Sequence, residues 1–292
     1  MPGKILVLGA TGTQGGATCR HLSARGDFRV VGITRKPDSK RAQRVAKLPG
    51  VELAQCDADA EGALEAVIAA HGPFHGVFSV QVNDYTEEGI RKEITQGKLV
   101  VDLCEKHAVK HLVYASVADL QPADLPDCAT KIEIGAHIRK SRVPFTMLRP
   151  AFFVENFFST GFAAASASTV GYPGFDPKND RKQHYIYIDD LGMLAAQAFA
   201  EGEPWFGETL DLVGDSLTPA ELLAVFAEHN GRPMEANELP IDAFGEAVKP
   251  LFVFLRDAGW PGVDIAALRR RFPQLHTVKG ALEHAGYRPP RD

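Results

Sequence analysis

Short apolar runs alternate along the chain with longer segments in which apolar residues recur every three or four positions. Runs of the first kind are typical of buried parallel strands, and segments of the second kind are typical of helices that cover a sheet. The pattern predicts strands at 4–8, 28–34, 51–55, 75–80, 110–116 and 145–148, and helices at 16–25, 39–48, 61–70, 86–107 and 129–141. Strands that are joined in this order by right-handed helical crossovers form a doubly wound parallel α/β sheet.

The second half of the chain predicts a smaller α+β region. Strands are expected at 184–188 and 209–213, Asp189 and Asp190 are expected to cap a helix at 191–200, and Thr218 is expected to cap a helix at 219–229. We therefore expect a nucleotide-binding domain over residues 1–150. The segment at about 190–215 is a candidate for a later part of the chain that packs with this domain. A smaller substrate or partner region is expected over residues 151–292.

The first strand leads into a glycine-rich turn that opens the first helix. Gly9 permits the sharp turn, Gly12 leaves room for a pyrophosphate, and Gly15 lets the helix pack close to the strand. The N–H groups of such a turn and the positive end of the helix dipole bind phosphate. The G-x-x-G-x-x-G spacing differs by one residue from that of Rossmann dinucleotide-binding folds, but its place between strand and helix is the same. Further hydrogen bonds are expected from the side chains of Thr11, Thr13 and Gln14.

The end of the second strand predicts which dinucleotide binds. Folds that choose NAD usually place an acid there, which holds the ribose hydroxyls and repels a 2′-phosphate. This chain has Thr34, Arg35 and Lys36 instead. Because Arg35 can contact a phosphate through two N–H groups, the sequence predicts NADP(H) in preference to NAD(H). Asp57, after the third strand, is expected either beside the adenine or as the cap of the next helix.

Composition narrows the class of protein. The 292 residues are 45% hydrophobic, and the formal net charge of −5 argues against broad nucleic-acid binding. Four cysteines form no C-x-x-C pair, so neither a metal site nor a disulfide framework is expected. No apolar run approaches the ~20 residues that cross a bilayer, and the first residues read as a strand rather than a leader. We expect a cytoplasmic protein with no membrane partner.

Several groups of residues resemble the NmrA-like family of atypical short-chain dehydrogenases/reductases. They are 9–16 (GATGTQGG), 34–37 (TRKP), 96–99 (QGKL), Lys131 with 143–146 (VPFT), and 149–156 (RPAFFVEN). Residues 187–192 (YIDDLG) are similar to the extended members of the superfamily. The resemblance implies a Rossmann domain that binds NADP(H) and a smaller C-terminal region that covers a cleft. It also implies that the nicotinamide half is lined by Lys98, Lys131, Phe153 and Asn156.

One departure from the superfamily bears on activity. Catalytic dehydrogenases of this type place a tyrosine four residues before the lysine, and the lysine charge lowers the pKa of the phenol. Here Asp127 stands four residues before Lys131. The favoured function is therefore a redox-state sensor or regulator that binds NADP(H) without turnover and acts through a protein partner. The alternative, which the resemblance to relatives that keep only the lysine supports, is an NADPH-dependent reductase of a small apolar quinone, enone or aromatic, with Lys131 as proton donor.

Two aromatic groups in the second half have two possible roles. Residues 152–158 contain four phenylalanines, and residues 251–260 contain two phenylalanines and a tryptophan. If both groups face the cleft, they form a pocket for a flat apolar substrate. If they pack within the protein, they form the core of the smaller region, which is the commoner role of aromatic stripes.

Overall fold

The structure, a computed structural model, describes residues 3–82, 86–118, 125–158, 163–237, 239–246, 248–260 and 262–289. The chain forms two compact units. The first comprises residues 1–117, 130–149 and 191–210, and the second comprises residues 118–129, 150–190 and 211–292. Each unit has a buried hydrophobic cluster of its own.

The strands of the described ranges form three sheets. They are β1 (Gly3–Val7), β2 (Phe28–Thr34), β3 (Val51–Gln55), β4 (Gly76–Ser79), β5 (His111–Ala115), β6 (Phe145–Pro150), β7 (Phe152–Phe153), β8 (Ala164–Ala165), β9 (Thr169–Gly171), β10 (Gln183–Ile186), β11 (Thr209–Leu212), β12 (Asp215–Leu217) and β13 (Glu235–Ala236). The largest sheet has seven strands in the order β11-β6-β5-β4-β1-β2-β3. The pairings that join β1 to β6 are parallel. The order reverses on either side of β1, which confirms the predicted doubly wound sheet.

The helices of the described ranges belong to both units. They are α1 (Thr13–Arg25), α2 (Lys40–Ala46), α3 (Ala63–His71), α4 (Glu87–Lys106), α5 (Pro126–Lys140), α6 (Ile188–Glu201), α7 (Pro219–Asn230), α8 (Lys249–Asp257), α9 (Ile265–Arg271) and α10 (Val278–His284). Strands β4 and β5 are buried along their whole length, as central strands of a two-sided sheet should be. No helix in the described ranges is both long and apolar enough to cross a membrane.

The second unit contains two three-stranded sheets, β12-β10-β7 and β13-β9-β8. Its core is aromatic: the ring of Phe152 contacts those of Phe157, Tyr172 and Tyr185, and Phe157 also contacts Phe226. Phe152, Phe157 and Phe158 therefore pack within the unit as core, which confirms the second of the two roles for these three residues.

The start of α6 differs from the sequence prediction. The helix begins at Ile188, so Asp189 and Asp190 lie in its first turn and are not its cap. The Ile188 N–H donates to Oε1 of Glu155 at 2.8 Å. Asp190 instead accepts a hydrogen bond of 2.8 Å from the backbone N–H of His276, whose Nδ1 lies 2.6 Å from the other carboxylate oxygen.

The cap of α7 agrees with its prediction. The Thr218 hydroxyl accepts from the N–H of Glu221, and the Glu221 carboxylate accepts from the N–H of Thr218. This reciprocal capping box satisfies two N–H groups that the helix itself cannot satisfy.

Candidate functional site

The glycine turn between β1 and α1 has the geometry of a phosphate-binding loop. Gly9 has a φ of 61°, in the left-handed region that favours glycine. A Cβ on Gly15 would lie 2.3 Å from the carbonyl oxygen of Gly9, so only glycine fits where the helix meets the strand. Gly12 is the N-cap of α1 and supplies no side-chain cap. The first N–H groups of a 13-residue helix are thus left for a ligand at this turn.

The polar residues of the turn occupy two positions. Thr11 is half-buried and lines the cleft described below. Thr13 and Gln14 belong to the first turn of α1 and are not among the lining residues. Within the described part of the chain, Oε1 of Gln14 is buried and has no hydrogen-bond partner. The contacts of Thr11, Thr13 and Gln14 to phosphate remain predictions.

A cleft of ≈ 740 Å³ opens beside this turn, and all of its walls belong to the first unit. One side of the cleft is formed by the end of β2 and by the residues that follow β1, β2, β3 and β4. The other side is formed by α4. The polar and glycine residues that line it are Gly9, Thr11, Gly12, Thr34, Arg35, Lys36, Ser39, Arg41, Asp57, Asp59, Gly89, Lys92, Glu93 and Gln96. The cleft lies at the carboxyl ends of parallel strands on both sides of β1, where doubly wound sheets bind their ligands.

One end of the cleft is basic. Arg35 and Lys36 are exposed there, and Thr34 is buried, with its hydroxyl accepting a hydrogen bond of 3.3 Å from the Lys36 N–H. The sequence prediction did not include Ser39 and Arg41, which line the same end. Their place at the start of α2 was a signal, because only a short segment separates the end of β2 from the cap of this helix.

Asp57 lines the cleft and does not cap the following helix. The N-cap of α3 is Gly62, so the capping alternative for Asp57 is wrong. Its Oδ1 accepts a hydrogen bond of 3.3 Å from the N–H of Asp59, and Asp59 in turn accepts one of 3.1 Å from the Gln96 amide on α4. Burial raises the pKa of the neighbouring Cys56 thiol, and the charge of Asp57 adds to that effect.

A buried ion pair lies in the wall of the cleft. Glu93 on α4 is fully buried, and its Oε1 lies 2.5 Å from Nζ of Lys131 on α5, whose side chain is 16% exposed. The two helices can approach because a Cβ on Gly97 would lie 2.5 Å from Cδ1 of Ile134. Gly97 is one turn after Glu93, and Ile134 is one turn after Lys131, so the glycine contact brings the charged pair together.

Lys131 has two further neighbours, a backbone carbonyl group and an aromatic ring. Lys131 Nζ also donates to the carbonyl oxygen of Gln81 at 3.4 Å and lies 6.0 Å from the centre of the Tyr114 ring. Burial holds the pKa of Tyr114 well above its ordinary value, and the charge of Glu93 raises it further. Tyr114 is therefore a neutral phenol near neutral pH.

None of the four residues that the family resemblance implied for the nicotinamide half lines this cleft. Lys131 is the ion-pair partner of the lining residue Glu93, and the other three lie elsewhere. Lys98 Nζ pairs with Glu133 at 2.5 Å, and both side chains are partly exposed. Phe153 is half-buried in β7 and pairs with Ile186, and Asn156 belongs to a short 3-10 helix, both in the second unit. Their roles toward a cofactor stay predictions. The side chain of Asp127 lies outside the described part of the chain.

Two solved structures are similar to this chain over nearly its whole length. NmrA, a negative transcriptional regulator in complex with NADP, has a TM-score of 0.74 and 18% identity, covering 96% of this chain and 94% of that chain. The triphenylmethane reductase of Citrobacter sp. complexed with NADP(H) has a TM-score of 0.75 and 19% identity, covering 97% and 99%. At these identities the likeness shows a shared fold.

Sequence similarity carries the assignment further. The NmrA-like family domain-containing oxidoreductase notA of Aspergillus sp. (strain MF297-2) is 38% identical over an alignment of 264 residues, and the alignment covers 81% of this chain and 75% of that protein. The sequence model of the NmrA-like family matches residues 1–254. The family resemblance read from the motifs is confirmed, and the chain belongs to the NmrA-like family.

Proposed function

We propose that the cleft of the first unit binds NADP(H), and that the chain acts as a redox-state sensor or regulator. The observation that carries this proposal is the pairing, in one cleft of ≈ 740 Å³, of the uncapped glycine turn with a basic end formed by Arg35, Lys36 and Arg41. The volume suits a dinucleotide. Residues 34–36 contain no acid that would repel a 2′-phosphate.

Each part of the cleft has a role in this proposal. The N–H groups at the start of α1 hold the diphosphate, and the guanidinium of Arg35 holds the 2′-phosphate. Asp57 lies on the adenine side, because β3 is at that edge of the sheet. At the other half of the cleft, Lys131 acts through its ion pair with the lining residue Glu93. When bound, the reduced nicotinamide can supply a hydride.

The regulator is favoured because the proton-transfer machinery of the superfamily is incomplete. Asp127 stands where catalytic members have tyrosine, and the Lys131 ammonium is already engaged by a buried carboxylate. Similarity to NmrA, a negative transcriptional regulator, supports the same function. In this proposal the chain binds a protein partner, and that interaction depends on the dinucleotide held in the cleft.

A reductase is the second candidate, and Lys131 is the observation that favours it. Its side chain is partly exposed, and its Nζ pairs with Glu93, which lines the cleft. In this candidate Lys131 donates the proton that must accompany hydride transfer to a quinone, enone or aromatic. The similar triphenylmethane reductase and the relative named as an oxidoreductase support this candidate.

Turnover separates the two candidates. NADPH absorbance is followed in the presence of a panel of quinones, aromatic aldehydes and enones, with the Lys131→Ala variant beside the parent. Tight NADPH binding without steady oxidation is the result expected of a regulator. Steady oxidation that Lys131→Ala abolishes would establish the reductase. Lys106→Ala is the matched control, because Lys106 is an exposed lysine that pairs with Glu65 away from the cleft.

A further inference from the structure

The ion pair in the cleft wall has a counterpart on the same two helices. Lys98 and Glu133 also join α4 to α5 at 2.5 Å, but their side chains are 36% and 49% exposed, whereas those of Lys131 and Glu93 are 16% and 0% exposed. Burying an ion pair contributes little to stability, because desolvation offsets the attraction. The buried pair therefore calls for an explanation other than the joining of the helices.

Glu93 is on the cleft side of α4, and its side chain is fully buried. It lines the cleft, and its Oε2 is buried without a hydrogen-bond partner among the residues that the structure describes. A buried carboxylate oxygen of this kind is costly unless a donor or a positive charge comes near it. Lys131 is not among the lining residues, so of the two partners only Glu93 borders the cleft.

Oxidised and reduced nicotinamide dinucleotides differ in charge at one place. The oxidised ring carries a positive charge and the reduced ring is neutral, while the phosphates and riboses are the same. We propose that the Glu93–Lys131 pair sets the relative affinity of the cleft for the two forms, with the Glu93 carboxylate cancelling a lysine charge that would otherwise repel the oxidised ring. This inference rests on the proposed function, and it makes Glu93 a specificity-determining residue of the same site.

Charge arithmetic gives the size of the effect. At an effective dielectric constant of about 20, two unit charges about 10 Å apart interact strongly enough to change an affinity by about tenfold. Removing Glu93 leaves the lysine charge and weakens binding of NADP⁺ relative to NADPH. Removing Lys131 leaves the carboxylate charge and strengthens binding of NADP⁺ relative to NADPH. Removing both restores neutrality.

The experiment measures dissociation constants for NADP⁺ and NADPH by calorimetry, with the parent and all variants in the same buffer at the same pH. The variants are Glu93→Gln, Lys131→Met and the double variant, with Glu65→Gln as the control on an exposed lysine–glutamate pair away from the cleft. We expect the ratio of the NADP⁺ to the NADPH constant to rise about tenfold in Glu93→Gln and to fall in Lys131→Met. In the double variant the ratio should return to within about threefold of the parent value, and in the control it should stay within that range.

A purely structural role gives a different result. It would raise both constants together and leave their ratio unchanged in both single variants, and that outcome overturns the inference, as does a shift in the same direction in both. If Glu93→Gln does not fold, Lys131→Met decides alone: a lower ratio supports the inference and an unchanged ratio overturns it. If the parent protein binds neither dinucleotide, the proposed function itself fails, which is a distinct result.

Discussion

The buried carboxyl group of Glu155 makes the stability of the second unit depend on pH. Its Oε1 accepts from the Ile188 N–H at the start of α6, and its Oε2 is buried with no hydrogen-bond partner in the described ranges. Burial is the main cause that raises its pKa from 4.5 to about 8, and the charges of Asp190 and Asp189 add to it. Two backbone N–H groups act in the opposite direction. Glu155→Gln keeps an acceptor for Ile188 and removes the titration.

The sign and size of the effect follow from the two protonation states. Between pH 4.5 and about 8 the folded state keeps the proton and the unfolded state loses it, so the free energy of unfolding falls as pH rises. At about 1.4 kcal/mol per pH unit, the loss over this window is at most roughly 5 kcal/mol, and above it the loss is complete. The Gln variant lacks this loss and should be more stable than the parent by several kcal/mol at about pH 8, but not at about pH 5.

Urea unfolding at about pH 5, 6.5 and 8 tests this prediction. Fluorescence of Trp260 reports on the second unit and that of Trp205 on the first. Glu228→Gln is the control, because Glu228 forms an exposed pair with Lys279 in the same unit and should change stability by less than about 1 kcal/mol. Parallel pH profiles for the parent and Glu155→Gln would refute the reasoning.

Three further substitutions test separate parts of the structure. Gly15→Ala places a Cβ 2.3 Å from the Gly9 carbonyl oxygen, so thermal unfolding should show a loss of about 2 to 3 kcal/mol, and NADPH titration should show weakened binding; unchanged values of both would contradict the tight turn. Thr218→Ala removes half of a capping box and should cost about 1 kcal/mol in urea unfolding, whereas no change would mean that the cap is dispensable. Tyr114→Phe removes a buried hydroxyl that has no hydrogen-bond partner in the described chain, so its unfolding free energy should stay the same or rise by up to about 1 kcal/mol, and a clear loss would reveal a missed partner.

The central sheet could be predicted from the sequence because its signals are local. The run FRVVGIT between a polar turn and a basic segment predicts β2 at its observed bounds, Phe28–Thr34. The glycine turn predicts that a helix follows β1, but α1 begins at Thr13, three residues before the predicted start. The start of α6 could not be predicted in this way. Its first N–H is satisfied by Glu155, which is 33 residues away, so the two aspartates that resemble a local cap lie inside the helix.

Glu93 was missed because an acid on a helix is usually solvent-exposed. The signal was present in the spacing of α4: Gly89, Glu93, Gly97 and Val100 recur every three or four residues and are all buried. Glycines on both sides of an acid, on the apolar side of a helix, indicate close packing of a neighbouring helix. The identity of its partner depends on how α5 packs, which the sequence alone does not specify.

The preference of the cleft for a 2′-phosphate tests the central claim most directly. Dissociation constants for NADPH and NADH are measured on the parent, on Arg35→Ala, and on Arg44→Ala, in which the substituted arginine is exposed on α2 and does not line the cleft. We predict that the parent binds NADPH at least about tenfold more tightly than NADH, and that Arg35→Ala loses most of this preference while Arg44→Ala keeps it. A parent protein that binds NADH as tightly as NADPH, or that binds neither, would contradict the account.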